Sequence, residues 1–100
     1  MAEKVVVYWR DIPAQVIVKA GRKTAKRQLT ERFEQAIDRA AMRAKLTGTD
    51  AYLEQWRRAD PVPCGDDLEA EATAAAEALE AEYPPERLRE LVAAGGMAPA

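Results

Sequence analysis

Two residue types on which much enzyme chemistry depends are missing from this 100-residue chain, which contains no histidine and no serine. Their absence excludes Ser-His-Asp and Cys-His nucleophile systems and metal sites with histidine ligands. Cysteine occurs once, as Cys64. A single cysteine excludes an intrachain disulfide and a tetrahedral cysteine site for zinc or an iron-sulfur cluster within one chain, and it fits a reducing cytoplasm.

Large apolar side chains are also scarce. Alanine accounts for 21 of the 48 apolar residues, whereas Leu, Ile, Val and Phe together number 18. We therefore expect one domain of modest stability, or one that a partner stabilises. No run approaches the ~18 apolar residues of a membrane span. The N-terminus is not typical of a signal peptide, and no GxGxxG, P-loop or EF-hand spacing occurs.

Charge is unevenly distributed along the chain. Residues 1–58 hold 13 basic and 7 acidic side chains, a net charge of +6, and residues 59–100 hold 2 and 10, a net charge of −8. The total of −2 argues against a globally basic nucleic-acid binder. The opposite signs favour an acidic helical tail that folds back along the basic part, and two separate partner surfaces are the alternative.

The hydropathy pattern predicts an N-terminal β-hairpin over residues 4–20, with a chain reversal at residues 11–14. The segment is rich in β-branched and aromatic residues that alternate along the chain. Alternation places Val5, Val7 and Trp9 on one face, and we expect that face to be in the core.

An amphipathic helix is predicted over residues 24–47, with a basic turn at its start. Its apolar residues recur at three- and four-residue spacing, with Thr30 as N-cap and Gly48 as the stop. Residues 50–58 fit either a helix or a strand. A third antiparallel strand is favoured there, because an isolated hairpin is marginally stable.

A loop is predicted at residues 60–65, followed by helices over residues 66–83 and 85–94 and a disordered tail at 97–100. The predicted fold class is α+β. Residues 1–96 are expected to form a single domain, in which the hairpin and the third strand pack against one amphipathic helix and carry two C-terminal helices.

Four segments resemble the small bacterial family described as virulence factor. These are residues 7–16, 21–23, 36–42 and 50–57. The family is named after the C-terminal module of a staphylococcal conserved virulence factor, and it also occurs as stand-alone proteobacterial proteins of about this size. The resemblance covers roughly residues 4–80. It implies no catalytic residues and no cofactor. Stand-alone members of the family are encoded near folate- and corrinoid-dependent methyl-transfer enzymes, so the resemblance implies an accessory role in one-carbon metabolism.

Two groups of residues are candidate binding surfaces. Five cations around Gly21 form a basic cluster that could contact an anion or a partner: Lys19, Arg22, Lys23, Lys26 and Arg27. A solvated turn paired with the acidic C-terminal helix is the alternative interpretation of this cluster. Tyr8 and Arg10, on the outer face of the first strand, are residue types that anchor protein interfaces. Cys64 lacks a cationic neighbour in sequence and is interpreted as an inert thiol.

The residues and the resemblance together predict a non-catalytic accessory or adaptor module, in the cytoplasm, that binds another bacterial protein. The first alternative is a small subunit that contacts an anion or a cofactor in one-carbon metabolism. The second is weak nucleic-acid binding through the basic cluster at residues 19–27. We expect no metal, no cofactor, no membrane association and no independent enzymatic activity.

Overall fold

The computed structural model describes residues 2–46, 48 and 50–98, which form a five-stranded antiparallel sheet and four helices. The predicted α+β class is confirmed. The elements run in the order β1 (Ala2–Trp9), β2 (Ile12–Ala20), β3 (Lys23–Gln28), α1 (Glu31–Arg43), α2 (Asp50–Glu54), β4 (Trp56–Arg58), β5 (Val62–Cys64), α3 (Leu68–Glu82) and α4 (Pro85–Ala93). Among the described helices, none is long and apolar enough to cross a membrane.

The hairpin of β1 and β2 is the centre of the sheet, as the alternation predicts. Val5 lies opposite Ile17 and Trp9 lies opposite Ile12, with an irregularity after Val7. The reversal is tighter than the sequence suggests, because β2 already begins at Ile12. Arg10 occupies the turn at φ 53°, a left-handed conformation that a two-residue hairpin turn requires.

The basic segment predicted as the start of a helix is instead strand β3. Gly21, at φ +61°, allows a second tight turn, and β3 then pairs along β2 from Lys23 opposite Ala20 to Gln28 opposite Gln15. Propensity does not favour a strand here. Pairing with β2 and burial of one small side chain, that of Ala25, supply the stabilisation.

Helix α1 begins after Thr30, as predicted, but ends at Arg43 rather than at residue 47. Lys45 takes the left-handed position after the helix, at φ 61°, and its N–H donates to Met42. The N–H of Leu46 donates back to Ala41, which completes a Schellman motif before Gly48 is reached.

Residues 50–58 combine both of the structures that the sequence allows. Residues 50–54 form α2, so the predicted strand is wrong for them, and residues 56–58 form β4, which pairs antiparallel with β1. The predicted loop at 60–65 contains the short strand β5, also paired with β1. Two prolines are tolerated in and beside β5 because it lies at the sheet edge.

Three helices, rather than one, contribute buried residues to the core beside the sheet. Helix α3 packs on β2 and β3, while α1 packs on α4 and the start of β2. The acidic α3 folds back on the basic part of the chain through the ion pairs Arg27–Glu69 and Arg32–Glu80. The Glu80 carboxylate also accepts hydrogen bonds from the N–H of Thr30 (2.7 Å) and its hydroxyl (2.8 Å).

The C-terminal end of α4 closes against the hairpin turn. Gly96 donates its N–H to Leu91 (2.7 Å), and its carbonyl accepts from the N–H of Asp11 (2.8 Å). Ala98, in the predicted tail, donates its N–H to the Asp11 carboxylate (2.6 Å). The rest of the predicted disorder, at residues 99–100, lies outside the described residues.

Candidate functional site

A cleft of about 270 Å³ lies where α1, the α2–β4 segment and the sheet meet. It is lined by carboxylates, amides and aromatic rings, and we call it the acidic-aromatic cleft. Its main lining side chains are Glu34, Asp38, Tyr52, Trp56, Gln15 and Gln28, with Leu29 and Ile37 as the apolar floor.

Each wall of the acidic-aromatic cleft comes from a different element. Glu34 and Asp38 are four residues apart on α1 and therefore share one helix face. Gln15 and Gln28 are register partners on β2 and β3, so their side chains stand side by side. Side chains of β2, β3 and α1 thus line the same cleft.

The aromatic wall is fixed by hydrogen bonds to the hairpin. The indole N–H of Trp9 donates to the carbonyl of Tyr52 (3.0 Å), and Nε of Arg10 donates to the side-chain oxygen of Gln55 (3.1 Å). The backbone N–H of Arg10 also donates to the carbonyl of Gln55 (3.0 Å). These bonds hold the α2–β4 segment against the end of the sheet, so the cleft is positioned by the rigid hairpin.

Tyr52 and Trp56 form an aromatic corner. Their ring centroids are 6.3 Å apart and the rings are inclined at 79°, while Tyr52 also lies 5.6 Å from the fully buried Trp9. Trp56 remains 37% exposed. Burial and the nearby Asp38 carboxylate raise the pKa of Tyr52, so its phenol stays neutral at physiological pH.

The acidic-aromatic cleft is suited to a cation. Both carboxylates are solvent-exposed, and the three ion pairs found in the described part of the chain involve neither of them. A guanidinium or ammonium group would find two negative charges beside two π-faces, a combination that recognises cations.

No metal centre is formed in the part of the chain described. Within residues 2–46, 48 and 50–98 there is no group of three or more His, Cys, Asp or Glu side chains that could hold a metal ion. Burial, followed by the Glu71 carboxylate, raises the pKa of the Cys64 thiol. A raised pKa reduces the thiolate fraction at neutral pH and agrees with an unreactive cysteine.

The five cations of the basic cluster are divided by the sheet. Lys19 and Lys26 project from one face, because Lys26 lies opposite Ile17, the second neighbour of Lys19. Arg27 is directed to the other face, where it pairs with Glu69 of α3. The cluster is therefore not one continuous surface.

Arg10 and Tyr8 are both engaged within the molecule. Arg10 donates through Nη1 to the carbonyl of Gly95 (2.9 Å), and its guanidinium lies 5.3 Å from the Trp9 ring centroid. Tyr8 is half-buried beneath the guanidinium of Arg57, at 4.6 Å. The burial of Val5, Val7 and Trp9 is confirmed, but Arg10 is a structural residue of the hairpin end.

Sequence reasoning did not single out the residues that form the acidic-aromatic cleft as a binding site. Two four-residue spacings were available as a signal: Glu34 with Asp38, and Tyr52 with Trp56. The second pair spans a helix and a strand, however, so helical spacing alone does not bring its rings to the first pair.

The chain matches one family model, described as Virulence factor, over residues 7–92. The match extends beyond the segments that carry the resemblance and includes α3 and most of α4. No curated protein and no solved structure matches the chain.

Proposed function

The chain belongs to the virulence factor family, and we propose that it is a non-catalytic adaptor module whose acidic-aromatic cleft binds a basic segment of another protein. The aromatic corner of Tyr52 and Trp56 beside the Glu34 and Asp38 carboxylates is the observation that supports this function. A lysine or arginine side chain of the partner would lie between the rings and the carboxylates.

Exposed apolar side chains next to the acidic-aromatic cleft supply the remainder of a protein interface. Leu53, beside Tyr52, is 64% exposed, and Met42 is 62% exposed. Met42 lies one helical turn beyond Asp38 on the same face of α1. Aromatic residues and Met are enriched in interfaces, and such a patch holds a partner even when salt screens the charges.

The acidic-aromatic cleft is preferred to the basic cluster as the binding surface. The cleft collects its charges and rings in one concave volume, whereas the basic cluster is divided between two sheet faces and Arg27 is already paired with Glu69. A concave, partly apolar site with a few convergent polar groups is the usual form of a binding site. A role beside methyl-transfer enzymes is compatible with this adaptor if one of those enzymes carries the basic segment.

Affinity capture with matched variants tests the proposal. The tagged chain is incubated with nuclease-treated lysate of its own source, at moderate and at high salt, and retained proteins are identified by mass spectrometry. We expect one stoichiometric protein to be retained by the wild type and lost with Trp56→Ala. The double variant Glu34→Gln/Asp38→Asn should weaken its retention at moderate salt.

Val62→Ala is the matched control, because Val62 is also exposed and apolar but lies on β5, away from the acidic-aromatic cleft. It should retain the same protein as the wild type. Equal retention by Trp56→Ala and Val62→Ala would overturn the assignment of the cleft. Retention of nothing at either salt concentration would overturn the adaptor function itself.

A further inference from the structure

A second cavity, of about 300 Å³, lies on the other side of the hairpin end, between the sheet and the α3–α4 junction. Two tyrosines and two arginines dominate its lining, and we call it the Tyr–Arg pocket. The four residues are Tyr8 of β1, Arg57 of β4, Tyr83 at the end of α3 and Arg87 of α4. Asp11, Ala59, Leu91 and Ala98 complete the lining.

Each arginine of the Tyr–Arg pocket is stacked on a tyrosine. The guanidinium carbon of Arg57 lies 4.6 Å from the Tyr8 ring centroid, and that of Arg87 lies 4.2 Å from the Tyr83 ring centroid. A guanidinium over an aromatic face can still donate through its N–H groups. Both cations are therefore held at the pocket by the rings while they keep donors for a ligand.

Protein acceptors use only part of the donor capacity of these arginines. Arg57 donates through Nε to the carbonyl of Arg10 (2.9 Å) and through Nη2 to Asp11 (3.2 Å). Arg87 donates through Nη1 to the carbonyl of Glu82 (2.9 Å). Since a guanidinium carries five N–H donors, each arginine retains donors for a ligand.

The two tyrosines add neutral donors beside these cations. Tyr83 is buried and Tyr8 is half-buried. Burial is the largest cause that raises the pKa of each phenol, the Glu82 and Asp11 carboxylates also raise both pKa values, and Arg87 lowers both. Both phenols stay protonated at neutral pH and can donate hydrogen bonds.

We propose that the Tyr–Arg pocket binds the oxyanion group of a small molecule, a phosphate or a carboxylate, through Arg57, Arg87 and the hydroxyls of Tyr8 and Tyr83. The one carboxylate of the lining, Asp11, is already bonded to Arg57 and to the N–H of Ala98. The two arginines thus outnumber the one carboxylate of the lining, and the Glu82 carboxylate, which also acts on both phenols, lies outside the lining. Guanidinium groups bind the paired oxygens of both anion types through two parallel N–H donors.

Titration calorimetry on the full chain, with inorganic phosphate and separately with succinate, tests this site and distinguishes the two oxyanions. Arg87→Gln removes one charged donor, and Tyr8→Phe removes one hydroxyl. We expect Arg87→Gln to weaken binding about tenfold or more, as the loss of one charged hydrogen bond predicts, and Tyr8→Phe to weaken it less.

Three control variants test whether the anion binds at the Tyr–Arg pocket. Arg89→Gln, on the same helix but outside the Tyr–Arg pocket, and Trp56→Ala, in the acidic-aromatic cleft, should leave anion binding unchanged. Lys23→Gln probes the basic cluster. Loss of binding with Lys23→Gln but not with Arg87→Gln would overturn the proposal, as would no binding of either anion by the wild type. These outcomes are independent of the adaptor function, which the capture experiment tests.

Discussion

Replacement of Gly96 by alanine should destabilise the protein more than replacement of its neighbour Gly95. Gly96 has φ +94°, and a Cβ built on it would lie 2.7 Å from Cζ3 and 3.2 Å from Cε3 of Trp9. The Trp9 side chain is fully buried and its indole N–H is bonded to Tyr52. The ring therefore cannot move away without losing that hydrogen bond.

The expected loss in the free energy of unfolding has two parts. A positive φ at a residue with a Cβ costs about 1–2 kcal/mol. Overpacking against a fixed core side chain adds about 1–3 kcal/mol. Gly96→Ala should therefore cost about 2–5 kcal/mol, a large share of the total stability of a small domain.

Gly95→Ala is the matched control, because Gly95 also has a positive φ of +71° but its Cβ would meet no atom closer than 3.5 Å. It should show the backbone cost alone. Urea unfolding followed by tryptophan fluorescence gives both free energies, and thermal midpoints should differ by ~4 °C or more between the two variants. Equal stabilities for Gly95→Ala and Gly96→Ala would refute the argument that Trp9 excludes a side chain at residue 96.

Three further outcomes are expected. Ala25→Asp should lower the free energy of unfolding, measured with urea, by more than about 2 kcal/mol, because it buries a charge between β3 and α3. Thr24→Asp, on the exposed face of β3, should lower it little. Equal effects of the two variants would contradict the register of β3. Arg27→Gln should lower the free energy of unfolding by at most ~1 kcal/mol, because the ion pair between Arg27 and Glu69 is exposed. The difference from the wild type should vanish in high salt. The pKa of Tyr83 is raised above 10.0 by burial, so its unfolded form ionises first and stability should fall as pH rises beyond about 10. Urea midpoints at pH values of about 9 and 11 should show a smaller fall for Tyr83→Phe than for the wild type.

The sequence predicts the elements whose local chemistry and final environment agree. The hairpin follows from β-branched alternation, and α4 follows from Pro85 at its first turn and the glycine pair at its end. Strand β3 does not follow, because four of its six residues are long and polar and only Ala25 is buried. Strand β3 is stabilised by pairing with β2 and by packing against α3. The six residues of β3 do not by themselves predict either partner.

The acidic-aromatic cleft was beyond sequence reasoning for a related reason. Its residue types are visible, but their meeting depends on β4 pairing with the end of β1, which places Trp56 opposite Trp9. The Tyr–Arg pocket depends on a longer connection still, since Tyr8 and Arg87 come from opposite ends of the chain. The ion pair between Arg27 and Glu69, by contrast, agrees with the fold-back that the charge asymmetry predicts.

The closure of α4 on the hairpin turn also sets an order for folding. Arg10 and Gly95 are joined across 85 residues, and Asp11 and Ala98 across 87. Contacts of such separation carry a loop-closure cost that neighbouring strands do not face, and they slow the search for the native state. During synthesis, Trp9 is made long before Gly96, the residue that lies against its ring. The nascent hairpin therefore leaves this face of the indole uncovered until Gly96 has been translated.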